Sequence, residues 1–318
     1  MLLNKVAILE VARHADSVDR DASVHWTDVG PGPVEHPLKR DPFNLVYGPA
    51  GFSSIGPIGA VSMKTSFRHR LIHWLLQLPT RMSGLEFESY AEVRRAADGL
   101  LDRQGRIFDN DVLRHALTMA LILDRLPLRQ EADPIAVIGD GFGTMTALIL
   151  ETLPSTKIIT VNLTKTLLVD LAFLYKAFPD CGYAYVETAA DMRTALAEPS
   201  VRVVALRADY SEALASVPII LGINILSMME MMPSVTARYF DVLRRCPRRQ
   251  TAFYCCNRVE KRLADGTVTR FLEYPWRAAD DIVVDGPCPW TRIAYRGWPP
   301  FFYRSNPVQH RLAWLEKS

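Results

Sequence analysis

Three glycines at alternate positions, in Gly139-Asp140-Gly141-Phe142-Gly143-Thr144, form the segment best suited to binding a ligand. Glycine lets the backbone turn tightly and approach a ligand without a Cβ in the way. An apolar run at 135–138 precedes the loop and a helical pattern at 145–153 follows it. The loop is therefore expected at the carboxyl end of a strand, where open α/β sheets bind their ligands.

The glycine spacing separates two kinds of ligand. A dinucleotide fingerprint needs G-x-G-x-x-G, in which the third glycine contacts the following helix. Here that position is Thr144, and the glycine stands one residue earlier at Gly143. G-x-G-x-G is typical of methyltransferases and suits a donor without phosphates, so the loop predicts S-adenosyl-L-methionine as cofactor. A nicotinamide dinucleotide is one alternative, and a strand–helix turn without any ligand is another.

Two positions depart from the methyltransferase pattern. Val137 stands where an acid commonly precedes the first glycine, and Asn162 ends the second predicted strand, where an acid commonly binds the ribose. An amide can accept and donate hydrogen bonds but lacks the carboxylate charge, so weaker cofactor binding is expected. Asp140 and Asp209 are the acids that could compensate. The expected cofactor-binding residues are Gly139, Asp140, Gly141, Phe142, Gly143, Asn162, Leu163, Asp209, Tyr210, Asn224 and Ser227.

Between about Pro134 and Leu312 the chain has a series of short motifs: 224–227 with Glu230-Met231, 253–261, 265–271, 273–276, 288–290 and 310–312. In this order and spacing they resemble a bacterial sugar O-methyltransferase family. The resemblance implies a class I methyltransferase fold that acts on a sugar hydroxyl of a polysaccharide or a glycosylated metabolite.

A sugar hydroxyl is a poor nucleophile, so a general base is expected beside the methyl donor. Glu230 is the first candidate because it interrupts the apolar stretch 228–232 after the fourth predicted strand. A carboxylate can also stabilise a helix N-terminus there for structural reasons. His310 is the second candidate, since an imidazole accepts a proton near neutral pH. A structural role for this histidine is the alternative.

Polar and aromatic residues near the end of the chain are candidates for substrate binding. Asn257 and Arg258 follow the fifth predicted strand and could orient sugar hydroxyls, although Arg258 could instead form an ion pair. Tyr274, Trp276, Trp290 and Trp298 could stack against a pyranose ring, or could be ordinary core residues. Asp280 and Asp281 form no recognisable ligand set, so no metal site is expected.

Alternation of short apolar runs and helical patterns begins at Pro134 and predicts a parallel sheet with flanking helices. This is an α/β, Rossmann-like class I methyltransferase fold. Strands are expected at 134–138, 157–161, 202–206, 218–224 and 251–256, with helices near 143–153, 165–177, 189–197 and 229–245. A further pair of strands is expected around Val268–Tyr274 and Thr291–Tyr303.

The residues before this alternation predict a helical region. Residues 29–60 are rich in Gly and Pro and indicate loops, and three helices follow at 64–78, 86–101 and from Asp109 or Asn110 to Arg125. The apolar stripe of the first is expected to pack on the core. We divide the chain into a helical cap at 1–128, for substrate binding or dimerisation, and a methyltransferase domain at 129–318 with a substrate-binding tail at 257–318.

Composition excludes several classes of partner. The 318 residues carry a formal net charge of +2, which gives no general attraction to nucleic acid or to an anionic membrane. Five cysteines without a CxxC pair indicate reduced thiols, and no apolar run resembles a signal peptide or a membrane span, so a cytoplasmic location is expected. Besides a methyltransferase, the sequence allows a nicotinamide-dependent oxidoreductase or a non-catalytic pathway partner on the same scaffold. A small-molecule or saccharide acceptor and a homodimer are the expected partners.

Overall fold

The computed structural model describes residues 3–14, 19–23, 67–296, 301–304 and 306–318. Within these ranges the chain forms a central sheet flanked by helices. The strands are β1 Ile135–Ile138, β2 Ile158–Asn162, β3 Gly182–Val186, β4 Val201–Arg207, β5 Leu221–Ile225, β6 Thr251–Arg258, β7 Glu260–Arg262, β8 Val268–Arg270, β9 Asp281–Pro287, β10 Ile293–Arg296, β11 Phe301–Arg304 and β12 Val308–Leu315.

Helices cover both faces of this sheet. They are α1 Leu3–Arg13, α2 Phe67–Arg81, α3 Tyr90–Gln104, α4 Asn110–Arg125, α5 Thr144–Thr152, α6 Thr164–Ala177, α7 Ala189–Ala197 and α8 Pro233–Arg245. No helix in the described ranges has the length and apolar character required to cross a membrane.

The main sheet has eight strands in the order β3-β4-β2-β1-β5-β6-β12-β9. Neighbours from β3 to β6 pair in parallel, whereas β12 runs antiparallel to both β6 and β9. This mostly parallel sheet confirms the predicted Rossmann-like α/β class. The strand order reverses between β1 and β5, and a crevice for a ligand forms at such a switch point.

Two hydrophobic cores lie on opposite faces of the sheet. In β6, Tyr254 and Cys256 belong to one core, and Phe253 and Cys255 belong to the other. Alternate side chains of a strand point to opposite faces, so a strand covered on both sides is apolar throughout. This explains why β1 reads as a continuous apolar run, and why β2 and β5 are buried along almost their whole length.

Helices α3 and α4 pack against α5 and contribute to the same core as the sheet. Asp109 begins α4 as expected, because its Oδ1 accepts hydrogen bonds from the amides of Asp111 and Val112, each at 3.0 Å. This cap fixes where α4 starts.

The apolar stripe of α2 does not pack on the core as predicted. Phe67, Leu71 and Leu75 are 77%, 44% and 48% exposed. The buried face carries His73 and Gln77 instead, and Gln77 Nε2 donates to the carbonyl of Phe108 at 2.6 Å. Polar contacts, rather than the stripe, hold α2 in place.

The carboxyl-terminal strands also differ from the expectation. Strands β8 and β10 lie in the two regions expected to form strands, but β8 pairs with β7 and β10 pairs with β11. The long antiparallel pair β9–β12 and the edge strand β3 were not predicted. Helix α8 begins at Pro233 rather than at 229, because a short 3-10 turn occupies Met228–Glu230.

Candidate functional site

The glycine loop between β1 and α5 has left-handed backbone at all three glycines. Their φ angles are +73° at Gly139, +84° at Gly141 and +62° at Gly143. A Cβ at Gly139 would overlap Ser227, and one at Gly143 would lie 2.9 Å from the carbonyl oxygen of Asp170. A Cβ at Gly141 would meet nothing within 4 Å. The outer two glycines are needed for packing, whereas Gly141 leaves open space for a ligand.

The amides at the start of α5 are occupied by protein carboxylates. Asp140 accepts from the amides of Met145 at 2.9 Å and Thr146 at 2.8 Å, and Asp170 accepts from the amide of Gly143 at 2.9 Å. These helix-terminal donors are the ones that bind a pyrophosphate in dinucleotide folds. Because these three amides are already bonded, they are not available to a phosphate, and the charge of Asp140 opposes one.

Asn162, expected to bind a ribose, is engaged within the fold. Its Nδ2 donates to Asp170 Oδ2 at 2.8 Å and its Oδ1 accepts from the amide of Leu163 at 3.0 Å. Asp170 is fully buried, and burial, reinforced by the charge of Asp140, raises its pKa well above the usual range. Asn162 therefore helps to tie α6 to the glycine loop. The sequence signal for Asp170 was an acid inside the apolar pattern of α6.

Residues 19–23 cross the carboxyl edge of the sheet, and we call this segment the strap. Asp19 accepts from the amide of Thr164 at 2.9 Å, the amide of Asp21 donates to Asp209 Oδ1 at 3.3 Å, and Ser23 Oγ donates to the carbonyl of Glu230. These partners follow β2, β4 and β5. The strap thus covers the same edge to which the glycine loop belongs.

A cavity of about 420 Å³ lies between the glycine loop, the strap and α4. This volume falls within the usual range of small-molecule sites, about 300–1,000 Å³. The residues bordering it include many of those that the sequence singled out: Gly139, Asp140, Gly141, Phe142, Asn162, Leu163, Ser227, Glu230 and Trp290.

Four of the expected cofactor-binding residues do not border this cavity. Gly143 is covered by α6, and Asp209 pairs with Arg207 at 3.1 Å beside Tyr210. Asn224 is fully buried, where its Nδ2 donates to the carbonyl of Ile138 at 2.8 Å. These side chains support the ends of β1, β4 and β5 rather than the cavity wall.

The two candidate bases have different surroundings. Glu230 borders the cavity, and its carboxylate forms an ion pair with Lys261. His310 lies on β12 outside the cavity, with its Nδ1 3.2 Å from the hydroxyl oxygen of Tyr254 and its ring packed edge-on to Trp290. Burial lowers the pKa of His310 to about 4, so it is neutral at physiological pH.

Most of the expected substrate-binding side chains are used in packing. Asn257 is fully buried and its Nδ2 donates to Asn224 Oδ1 at 2.8 Å. Tyr274 and Trp276 pack against Phe240 in one of the two cores, and Arg258, the last residue of β6, does not border the cavity. Of this group Trp290 borders the cavity. Trp298 lies outside the described residues.

One face of α4 supplies cavity residues that sequence analysis missed. Asp111, Arg114, His115 and Thr118 are spaced i, i+3, i+4 and i+7, and all four border the cavity. This spacing places them on one side of a helix. The polar stripe was visible beside the apolar stripe of α4, but only its position opposite the glycine loop makes it part of a site.

His115 is held in one tautomer. Its Nδ1 lies 2.9 Å from the backbone carbonyl oxygen of Asp111, and a carbonyl can only accept, so Nδ1 carries the proton. The Asp111 carboxylate lies 3.8 Å from the same nitrogen. Among the described residues nothing bonds to Nε2, which leaves its lone pair available for a ligand.

Leu226, directly after β5, has the strained conformation of this site. Among the described residues that are not glycine, Leu226 is the one with left-handed backbone, at a φ of +56°. Its amide donates to the carbonyl of Cys256 at 2.8 Å, and its side chain borders the cavity next to Ser227. Such strain persists where surrounding contacts impose it and is concentrated at ligand sites.

No family model matches this sequence, and no curated protein is similar to it. The structure is similar to several solved structures, including the pyocyanin biosynthetic protein PhzM, with 10% identity over 64% of this chain and 56% of that chain, and a TM-score of 0.38. The mitomycin 7-O-methyltransferase MmcR aligns with 12% identity over 64% of this chain and 56% of its own, with a TM-score of 0.36.

A SAM-dependent methyltransferase from Leishmania major aligns with 12% identity over 64% of this chain and 72% of its own, with a TM-score of 0.37. The aligned region thus spans little more than half the length of PhzM and MmcR. At these identities and TM-scores, the similarities carry no conclusion about activity or substrate.

Proposed function

We propose that this protein is an S-adenosylmethionine-dependent O-methyltransferase. The observation that carries the proposal is the glycine loop: Gly141 opens into the cavity while Asp140 and Asp170 occupy the helix-terminal amides. A loop of this kind accepts a ligand with no phosphate. The Asp140 carboxylate in this loop also favours a positively charged sulfonium.

The same observation argues against the nicotinamide alternative. A pyrophosphate carries two negative charges and binds at free amides of a helix N-terminus. Here the amides of Met145 and Thr146 are already bonded to Asp140, whose own charge would repel the phosphates. The missing glycine at position 144 agrees with this reasoning, because α5 begins there with the fully packed Thr144.

The cavity offers groups that fit the cofactor. Gly139 and Gly141 present backbone without side chains, and the apolar residues Leu163 and Leu226 also border the cavity. When bound, S-adenosylmethionine supplies an electrophilic methyl group. Asn162 has one amide hydrogen beyond its bond to Asp170, which is a weaker ribose contact than the usual carboxylate.

His115 is the base that we assign to the acceptor hydroxyl. Its Nδ1 donates to the Asp111 carbonyl, so Nε2 is the ring nitrogen left to accept a proton from a ligand. Glu230 is less suited because its carboxylate is paired with Lys261. His115 would take the proton from the hydroxyl oxygen as that oxygen gains the methyl group, and Asp111 would stabilise the resulting imidazolium.

A sugar hydroxyl is the acceptor that we propose, in a saccharide or glycosylated small molecule. The resemblance of the tail to a sugar O-methyltransferase family supports it, and the almost fully buried Trp290 borders the cavity. The homodimer expected from the sequence stays a prediction.

Titration calorimetry with S-adenosylhomocysteine tests the cofactor, with NADH titrated in parallel. We expect binding of S-adenosylhomocysteine in the micromolar to sub-millimolar range and no heat from NADH. A flat response to S-adenosylhomocysteine would refute the proposal. Methyl transfer from a radiolabelled donor to a panel of sugars then tests the enzyme: cofactor binding without product on any acceptor would indicate a non-catalytic partner.

A further inference from the structure

Arg114 is a cation within a cavity wall that otherwise carries acids. It borders the cavity from α4, one helical turn from Asp111 and next to His115. Among the described residues that border the cavity, Arg114 is the single arginine or lysine. It lies on the α4 side, across the cavity from the glycine loop.

The acids of the cavity all have partners within the protein. Asp140 accepts from two amides of α5, Glu230 pairs with Lys261, and Asp21 pairs with Arg238. The Asp111 carboxylate lies 3.8 Å from the ring of His115. Each carboxylate thus has its own contact within the protein, and none of them forms an ion pair with Arg114.

The guanidinium of Arg114 has no partner among the described residues. None of the described residues forms an ion pair or a hydrogen bond with its guanidinium, and its Nε is buried without a partner. Asp111, three residues earlier, does not come within 4.0 Å of it in the described structure. The side chain is half-buried, with its Nε cut off from water, so its guanidinium is free to bind an anion that enters the cavity.

We propose that Arg114 binds a carboxylate or phosphate group of the acceptor, so that the substrate of this cavity is an anion. This inference rests on the proposed function for the role of that anion as methyl acceptor. The planar guanidinium matches either oxyanion with two parallel hydrogen bonds. His115 is the next residue of the same helix and also borders the cavity. An acceptor held by Arg114 therefore has its hydroxyl groups in the part of the cavity that contains the base.

The neighbouring wall fits an acceptor that is anionic at one end and less polar elsewhere. Thr118 and Thr291 bring hydroxyl groups, and Trp290 brings an aromatic ring. A sugar acid has this combination of a charged end and a ring, whereas a neutral sugar would leave the guanidinium without a partner.

Four probes test this proposal: acetate, inorganic phosphate, glucuronate and glucose, each at the same ionic strength. Dissociation constants come from the rise of the thermal midpoint with probe concentration. We expect the wild-type protein to bind glucuronate at least tenfold more tightly than glucose. Acetate binding more tightly than phosphate identifies a carboxylate, and the reverse identifies a phosphate.

Arg114→Gln removes the charge and should weaken anion binding about 10- to 100-fold, the usual contribution of a charged hydrogen bond. Arg125→Gln is the matched control, because Arg125 is an exposed arginine at the end of the same helix. Arg114→Lys keeps the charge, should bind anions with intermediate affinity, and serves as a second variant where the glutamine does not fold.

The proposal is overturned if no anion binds the wild-type protein more tightly than glucose does, or if Arg114→Gln and Arg125→Gln bind anions equally. The titrations are run with and without S-adenosylhomocysteine. Arg114-dependent anion binding without any S-adenosylhomocysteine binding would reject the methyltransferase and retain the anion site. Intact S-adenosylhomocysteine binding without Arg114-dependent anion binding would reject the anion site alone.

Discussion

Two glycines with nearly the same backbone allow the cofactor loop to be tested apart from stability. Gly141 has a φ of +84° and Gly266, in the turn between β7 and β8, has a φ of +87°. A Cβ added at either position meets nothing within 4 Å. The two sites differ in that Gly141 borders the cavity and Gly266 does not. We compare Gly141→Leu with Gly266→Leu.

Both variants should lose a similar amount of stability. An L-residue held in the left-handed region costs about 1–2 kcal/mol, and neither side chain meets a neighbour that would add a clash. The free energy of unfolding, measured by urea denaturation, should therefore fall by about 1–2 kcal/mol in each.

Cofactor binding should separate the two variants. The side chain introduced by Gly141→Leu would enter the volume proposed for the cofactor, and filling a packed site costs about 1–3 kcal/mol, or roughly 5- to 150-fold in affinity. Calorimetry should show this loss of S-adenosylhomocysteine affinity for Gly141→Leu, whereas Gly266→Leu should bind like the wild type. Equal affinity in the two variants would refute the placement of the cofactor against Gly141.

Three further predictions concern titratable side chains. His115→Gln should lower the methyl-transfer rate about 10²- to 10⁴-fold while the affinity for S-adenosylhomocysteine stays unchanged. If Glu230→Gln lowers the rate by a larger factor than His115→Gln does, Glu230 is the base instead. Burial lowers the pKa of His310 from 6.5 in the unfolded chain to about 4 in the folded protein. The free energy of unfolding should therefore fall by about 3 kcal/mol as the pH drops from 6.5 to about 4. The same decline in a His310→Gln variant would show that His310 does not cause it. Burial raises the pKa of Asp170, so the folded state holds its proton more tightly than the unfolded state does. The wild type should therefore lose stability relative to Asp170→Asn as the pH rises from about 4 towards neutrality. A stability difference between the two proteins that does not change with pH would show that Asp170 does not titrate there.

The sequence by itself determined the features that depend on neighbours along the chain. The apolar run of β1, the three glycines and the helix after them lie together, so their order predicts a strand, a ligand loop and a helix. Asp109 capped α4 as expected for the same reason, because a cap bonds amides only two and three residues away. The parallel sheet followed from the alternation of such local patterns.

Tertiary structure decided which polar residues reach the cavity. Arg114 and His115 precede the glycine loop by about 25 residues and Asp21 by more than 100, and only packing of α4 and the strap over the sheet edge brings them there. Residues that read as binding groups, such as Asn257 and Tyr274, are buried by the same packing. A local pattern gives the period of an element, but it does not say which neighbour covers each face.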